Sequence, residues 1–146
     1  MSGTRQYTSC VVGNQLVGIS VDAVQEVTSV TDLTPVPLAS PLISGLLNLR
    51  GEIITAIDLR RCLQMSDRSA DQRPVNLILR TDEGPVGVLV DQIGDVLEVD
   101  DDQFESPPPT LQGRGGDLIS GVYKLADGLL LVVGTEALLA VASEHA

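Results

Sequence analysis

The chain has 146 residues, the length of one ordinary domain with a sizeable core, and its formal net charge is −11. Hydrophobic residues make up 43% of it but aromatic residues only 2%, which argues against an aromatic-lined pocket or a base-stacking surface. Residues 71–146 contain fourteen acidic and four basic residues, so we expect this half to aid solubility and to repel nucleic acids and anionic membranes.

The amino-terminal residues and the two cysteines predict a cytoplasmic protein. Residues 1–8 are polar and do not resemble a signal peptide, and no apolar run reaches the roughly 20 residues needed to span a bilayer. Cys10 and Cys62 are far apart and form no CxxC motif. We therefore expect two free thiols in a reducing compartment and no direct membrane contact.

Apolar runs and turn residues predict short strands in the first half. A hairpin is expected from residues 7–12 and 16–21, which flank a turn at Gly13. After it, Asp22 either caps a single helical turn or opens a bent strand. Prolines then make residues 34–41 an extended loop, because they cannot belong to a central strand.

Residues 42–59 predict two apolar strands around a tight corner at Arg50 and Gly51. A guanidinium at such a corner either braces a neighbouring loop or contacts a partner, and both roles suit its planar fork. The polar stretch that follows, residues 60–73, is interpreted as the connection between the two halves.

The second half of the chain repeats the first. Residues 17–30 align without gaps on residues 86–99, and residues 42–49 align on residues 118–125, at offsets of 69 and 76 residues. The chain is therefore a duplication of one unit of four or five short strands, and such units favour small, nearly closed barrels packed together. A short helix with Thr135 as its N-cap is expected near the end.

Residues suited to catalysis or metal binding are scarce. The single histidine, His145, lies beside the C-terminus, where an ordered general base is not expected. The acidic run at residues 100–102 with Glu105 lacks the spacing of a calcium loop and is interpreted as a solvated turn. We expect a binding protein with no catalytic residue, metal or cofactor. A remote alternative is a metal-dependent enzyme that uses the acidic second half.

Taken in order, these motifs resemble the CheW family of chemotaxis coupling proteins. The resemblance covers about residues 6–139, and its most specific parts are residues 43–51, ISGLLNLRG, and residues 57–60, IDLR. Residues 24–27 and 87–91 support it. Each motif alone is a weak signal, and together they identify the family.

The resemblance implies a mainly β fold of two intertwined five-stranded SH3-like barrels with a short C-terminal helix. It implies one CheW-like domain over residues 1–146, with approximate subdomains 6–66 and 73–141 whose strands are either separate or interleaved. The implied function is a non-enzymatic adaptor, without cofactor, that joins the cytoplasmic tips of methyl-accepting chemoreceptors to the regulatory domain of the histidine kinase CheA. Such an adaptor is cytoplasmic and recruited to membrane-associated receptor arrays. The pathway output stays open: swimming, type IV pilus motility or another response.

The resemblance also implies a receptor-binding groove between the two barrels. The matching positions are Val24, Gly45, Arg50, Val75 and Ile93. An amphipathic receptor helix is expected to pack against the valines and the isoleucine, with Gly45 allowing close approach and Arg50 bonding the receptor backbone or a carboxylate. The alternative is that the apolar residues are plain core and that Arg50 only braces nearby loops.

A kinase contact of the family falls in a loop that matches residues 104–110 of this chain, so Phe104, Glu105 and Thr110 are candidate kinase-binding residues. The basic and aromatic residues that family members use there are replaced by Glu105 and Thr110. This departure means either that the second kinase interface is missing or that the partner kinase carries complementary basic residues.

Overall fold

The computed structural model describes residues 3–29, 33–36, 41–69, 71–82, 84–107, 118–126 and 128–144, without the side chains of 141–144. The candidate Thr110 lies outside these ranges. The strands and helices are β1 (Thr4–Val12), β2 (Gln15–Ser20), β3 (Val24–Ser29), β4 (Ile43–Leu49), β5 (Glu52–Asp58), α1 (Leu59–Cys62), β6 (Val75–Leu79), β7 (Val86–Val90), β8 (Gln92–Asp100), β9 (Ile119–Leu125), β10 (Gly128–Val133) and α2 (Thr135–Glu144).

The strands form two five-stranded sheets. The first sheet has the order β8-β1-β2-β10-β9 and the second the order β3-β6-β7-β5-β4. Neighbours are antiparallel except for the pairs β2–β10 and β5–β7, which are parallel. Both sheets draw strands from residues 6–66 and from residues 73–141. The expectation of a mainly β fold with two five-stranded units and a short C-terminal helix is confirmed.

The sheet orders reproduce the duplication seen in the sequence. Replacing each of β1–β5 by its counterpart among β6–β10, and the reverse, converts the order of the first sheet into that of the second. The chain passes from the first sheet to the second between β2 and β3, and returns between β7 and β8. We call these two connections the first and the second crossover.

The first crossover combines the two alternatives that the sequence left open. A 3-10 turn at Val21–Ala23 is followed directly by the strand β3. Ser20 precedes the turn without a capping side-chain bond, and Asp22 lies inside it, so the expected cap at Asp22 is wrong. Likewise Thr135 is the first residue of α2 and not the residue before it.

A shared apolar core lies between the two sheets. Its buried members come from β1 and β2, from β5, β6 and β7, from β9 and β10, and from both helices, with Val17, Leu77 and Leu138 as examples. A second, smaller cluster fills the other face of the first sheet around Tyr7 and Tyr123, whose ring centroids are 5.7 Å apart. The alternation of strand residues therefore buries both faces of the first sheet.

Candidate functional site

The turn between β4 and β5 carries Arg50 at its corner. Arg50 and Gly51 both have positive φ, 53° and 89°, as in the two-residue turns that suit the twist of antiparallel strands. The side-chain oxygen of Asn48 accepts a hydrogen bond of 2.8 Å from the Gly51 N–H. The corner is thus a fixed base for the Arg50 side chain.

Arg50 pairs with Glu26 between the two edges of the second sheet. Its Nη2 donates to Glu26 Oε2; Arg50 lies in the turn that follows β4, and Glu26 lies in β3. This hydrogen bond lowers the pKa of Glu26 below its ordinary value. The Arg50 side chain nevertheless remains 68% exposed, so it both braces β3 and faces solvent. The sequence analysis did not single out Glu26, because a glutamate in a short strand gives no signal of its partner.

Gly45 lies in β4 beneath another segment of the same chain. A Cβ at this position would be 2.6 Å from the carbonyl oxygen of Thr34. Thr34 and Leu46 exchange two backbone hydrogen bonds of 2.8 Å, which hold that segment against β4. The close approach expected over Gly45 is therefore made by the protein's own backbone.

The three apolar receptor candidates lie on separate strands. Val24 begins β3 and Val75 begins β6, at opposite ends of this antiparallel pair, while Ile93 lies in β8 of the first sheet. All three are partly buried against the shared core. Their side chains contribute to packing and keep only part of their surface for a partner.

Two of the kinase candidates extend the first sheet at its β9 edge. Glu105 exchanges backbone hydrogen bonds of 2.9 and 2.8 Å with Val122, and its carboxylate lies 3.6 Å from Lys124 Nζ. The Phe104 ring packs on Tyr123 at a centroid distance of 5.3 Å and covers Gly121, where a Cβ would lie 2.1 Å from the ring. Phe104 is 37% exposed. The segment is thus anchored at a sheet edge and partly open to solvent.

The model of the CheW-like domain family matches residues 6–143. The chain belongs to the CheW family. It is 30% identical to the chemotaxis protein CheW of Treponema pallidum over 132 residues, which cover 88% of this chain and 78% of that protein. It is 31% identical to the Bacillus subtilis chemotaxis protein CheW over 121 residues, 83% of this chain and 78% of that one. The crystal structure of the scaffolding protein TtCheW from Thermoanaerobacter tengcongensis has the same fold, with a TM-score of 0.81 and 24% identity over 91% of this chain and 86% of that chain.

Within this CheW-like fold, the sequence analysis missed a cluster of buried charges. Arg60 donates to Asp91 through Nε at 2.9 Å and through Nη2 at 2.6 Å, and Arg68 Nε donates to Asp91 at 2.7 Å. Arg68 Nη1 also lies 3.1 Å from both carboxylate oxygens of Asp58. The stretch interpreted as a polar connection therefore places two arginines inside the molecule. The signal available in the sequence was the pair of aspartates that end apolar strands.

The acidic second half of this CheW-like chain forms no metal site in the part that the structure describes, where no group of three or more His, Cys, Asp or Glu is arranged around a cation. Asp101, in the acidic run, pairs with Arg5 Nε at 2.6 Å. Among the described helices, none has the length and apolarity to span a bilayer.

Proposed function

We propose that this protein is a non-enzymatic adaptor that couples methyl-accepting chemoreceptors to the histidine kinase CheA in a bacterial chemosensory pathway. Membership of the CheW family supports the proposal, as do the chemotaxis proteins and the scaffolding protein to which the chain is similar. The structural observation that carries it is Arg50, an exposed guanidinium held at a fixed corner by Glu26.

The receptor surface we propose contains Arg50 and the exposed parts of Val24, Val75 and Ile93. Arg50 bonds a carboxylate or backbone carbonyl of the receptor, and Glu26 fixes the direction of its fork. Gly45 acts indirectly in this arrangement: its lack of a side chain lets the Thr34 segment pack on β4 and complete the wall of the surface.

The kinase surface we propose is the β9 edge of the first sheet, with Phe104 as apolar anchor and Glu105 beside it. The Glu105 side chain is 48% exposed, so a basic residue of the CheA regulatory domain has access to it. Thr110 belongs to the same proposed contact by its position in the loop that matches the family's kinase contact, although the residue itself differs. The net charge of −11 suits a cytoplasmic protein that binds neither nucleic acid nor the membrane directly and reaches the array through its receptors.

Co-sedimentation with chemoreceptor signalling fragments and CheA tests the proposal. The protein is expected to enter the pellet only when a partner is present, and to raise the autophosphorylation rate of receptor-bound CheA. Failure to enter complexes with either partner contradicts it. The test asks only whether the protein joins receptor and kinase, whichever output the pathway controls.

A further inference from the structure

Four charged side chains are buried together at the second crossover. Asp91 forms ion pairs with Arg60 and Arg68, and Arg68 also forms an ion pair with Asp58. Only 9 to 12% of each of these four side chains is exposed. Removing such charges from water costs desolvation energy, and apolar side chains of similar volume often stabilise a protein as well or better. Stability alone does not account for the cluster, whereas a requirement for fixed geometry does. We call these four residues the crossover cluster.

The crossover cluster connects the two sheets. On the side of the first sheet, Asp91 Oδ2 accepts a hydrogen bond of 2.7 Å from the Gly13 N–H in the β1–β2 hairpin. The Asp91 N–H donates a hydrogen bond of 2.9 Å to the Val11 carbonyl. On the side of the second sheet, Arg68 Nη2 donates to the carbonyl of Leu89 in β7. Guanidinium–carboxylate forks fix direction as well as distance, while the apolar contacts of the shared core are non-directional.

Among the residues that the structure describes, the first crossover has no such cluster. Asp22, the counterpart of Asp91, is exposed, and its side chain forms no hydrogen bond or ion pair with the residues that the structure describes. The position equivalent to Arg60 holds Glu136, and the position equivalent to Asp58 holds Gly134. The repeat therefore places an acid, and no arginine, at the position equivalent to Arg60. In the described part of the chain, buried charge pairs therefore connect the sheets at the second crossover and not at the first.

We propose that Asp91, Arg60 and Arg68 are positioning residues that hold the two sheets at a single relative orientation. The consequence for coupling rests on the proposed function. Arg50 belongs to the second sheet and the Phe104–Glu105 segment to the first, so the angle between the sheets sets how the adaptor presents a receptor to the kinase.

Distances between spin labels on the two sheets test this in the free protein. Labels are attached at Ser29→Cys in β3 and Glu98→Cys in β8, both exposed, while Cys10 and Cys62 are buried. Wild type and the counterpart control Asp22→Asn are expected to give the same narrow distance distribution. Asp91→Asn is expected to broaden or displace it.

A distribution for Asp91→Asn that matches the wild type overturns the proposal. If Asp91→Asn does not fold, the distance distribution of Arg60→Lys is compared with the wild type instead. This variant keeps the positive charge but removes the planar guanidinium that pairs with Asp91. A second measurement concerns coupling: Asp91→Asn is expected to bind receptor fragments and CheA separately as wild type does, but to stimulate the kinase at least several-fold less. If the wild type binds neither partner, the proposed function fails, and the label distances still decide the role of the crossover cluster.

Discussion

The Arg50 side chain is poorly explained by folding stability. An exposed ion pair such as that with Glu26 stabilises a fold only weakly. A non-glycine residue at positive φ costs of the order of 1 kcal/mol, and Arg50 has a φ of 53°. The two terms approximately cancel. A residue whose local contribution is near zero, yet whose charge faces solvent, fits a role in recognition.

Exchanging the charges of the Arg50–Glu26 pair distinguishes two roles of Arg50, bracing β3 and binding the receptor. Arg50→Glu is expected to weaken receptor binding about tenfold or more, the loss of one charge-assisted hydrogen bond, with little change in melting temperature. The double variant Glu26→Arg with Arg50→Glu restores an ion pair but leaves the guanidinium at the wrong position. We expect receptor binding, measured by titration calorimetry, to remain weak in it. Recovered binding in the double variant indicates that Arg50 acts only as a brace.

Comparing alanine substitutions at Gly45 and Gly51 measures how much a steric clash at Gly45 would lower the free energy of unfolding. Gly45→Ala places a Cβ 2.6 Å from a backbone oxygen, and is expected to destabilise the protein by about 2–4 kcal/mol through overpacking and backbone strain. Gly51→Ala meets open space at φ 89°, so only a conformational cost of about 1 kcal/mol is expected. Urea unfolding gives both free energies. Equal losses in the two variants contradict the steric explanation of Gly45.

At the scale of elements, α1 and the loop after it differ most from the sequence-based interpretation. Asp58 caps α1 by accepting from the Arg60 N–H at 3.0 Å, a local signal that sequence can provide. The burial of Arg60 and Arg68 has no local signal, because it depends on Asp91, which lies 31 and 23 residues further along the chain. Charged residues in a polar stretch are normally solvated. Arg60 and Arg68 are buried only because the folded chain brings Asp91 next to them.

The crossover cluster makes stability depend on acid pH. Burial by itself raises the pKa of Asp91, but hydrogen bonds from Arg60 and Gly13 and the charges of Arg68 and Arg60 outweigh it, so the pKa lies below its ordinary value of 3.8. The unfolded chain therefore takes up this proton first as the pH falls. The contribution of Asp91 is complete well above pH 3.8 and is lost as the pH drops through the folded-state pKa.

Asp91→Asn is expected to lower the free energy of unfolding at pH 7 by about 3–5 kcal/mol, because it leaves two buried arginines without their partner. It should also flatten the pH dependence below about pH 4, to which a single carboxylate contributes at most about 1.4 kcal/mol per pH unit. Denaturant unfolding between pH 3 and pH 7 measures both effects. Asp22→Asn serves as the control and should keep the wild-type slope. An unchanged slope in Asp91→Asn refutes this account of the cluster.

At the scale of the whole molecule, neither half of the chain contains a complete sheet. The first half supplies β1 and β2 to one sheet and β3, β4 and β5 to the other. A fragment of residues 1–69 therefore lacks β6, β7, β8 and β10, which pair with its own strands, and two-stranded sheets are marginal in water. We expect this fragment to be unfolded by circular dichroism and to recover β structure when mixed with residues 70–146. A folded fragment 1–69 with protected amides contradicts the interleaved arrangement.

The duplication was visible in the sequence, but the exchange of strands between the sheets was not. The gap-free match of residues 17–30 to residues 86–99 identifies equivalent strands, and alternation identifies which residues are buried. Neither pattern tells which sheet a strand joins, because the apolar residues of β3 would be buried equally well if β3 paired with β1 as when it pairs with β6. The family resemblance was what implied intertwined barrels.

The paired crossovers also bear on how such a protein originates. A single repeat unit sends two strands to one sheet and three to the other, so an ancestor with one unit completes its sheets only with a second identical chain. Joining the two chains of such a strand-swapped homodimer end to end would give the present topology. In a symmetric homodimer both copies have the same residue at every position. In the present chain, the position equivalent to Arg50 holds Ala126, and the largely buried Asp91 is equivalent to the exposed Asp22. A single chain can thus carry different side chains at equivalent positions, which suits the two different partners of the proposed adaptor.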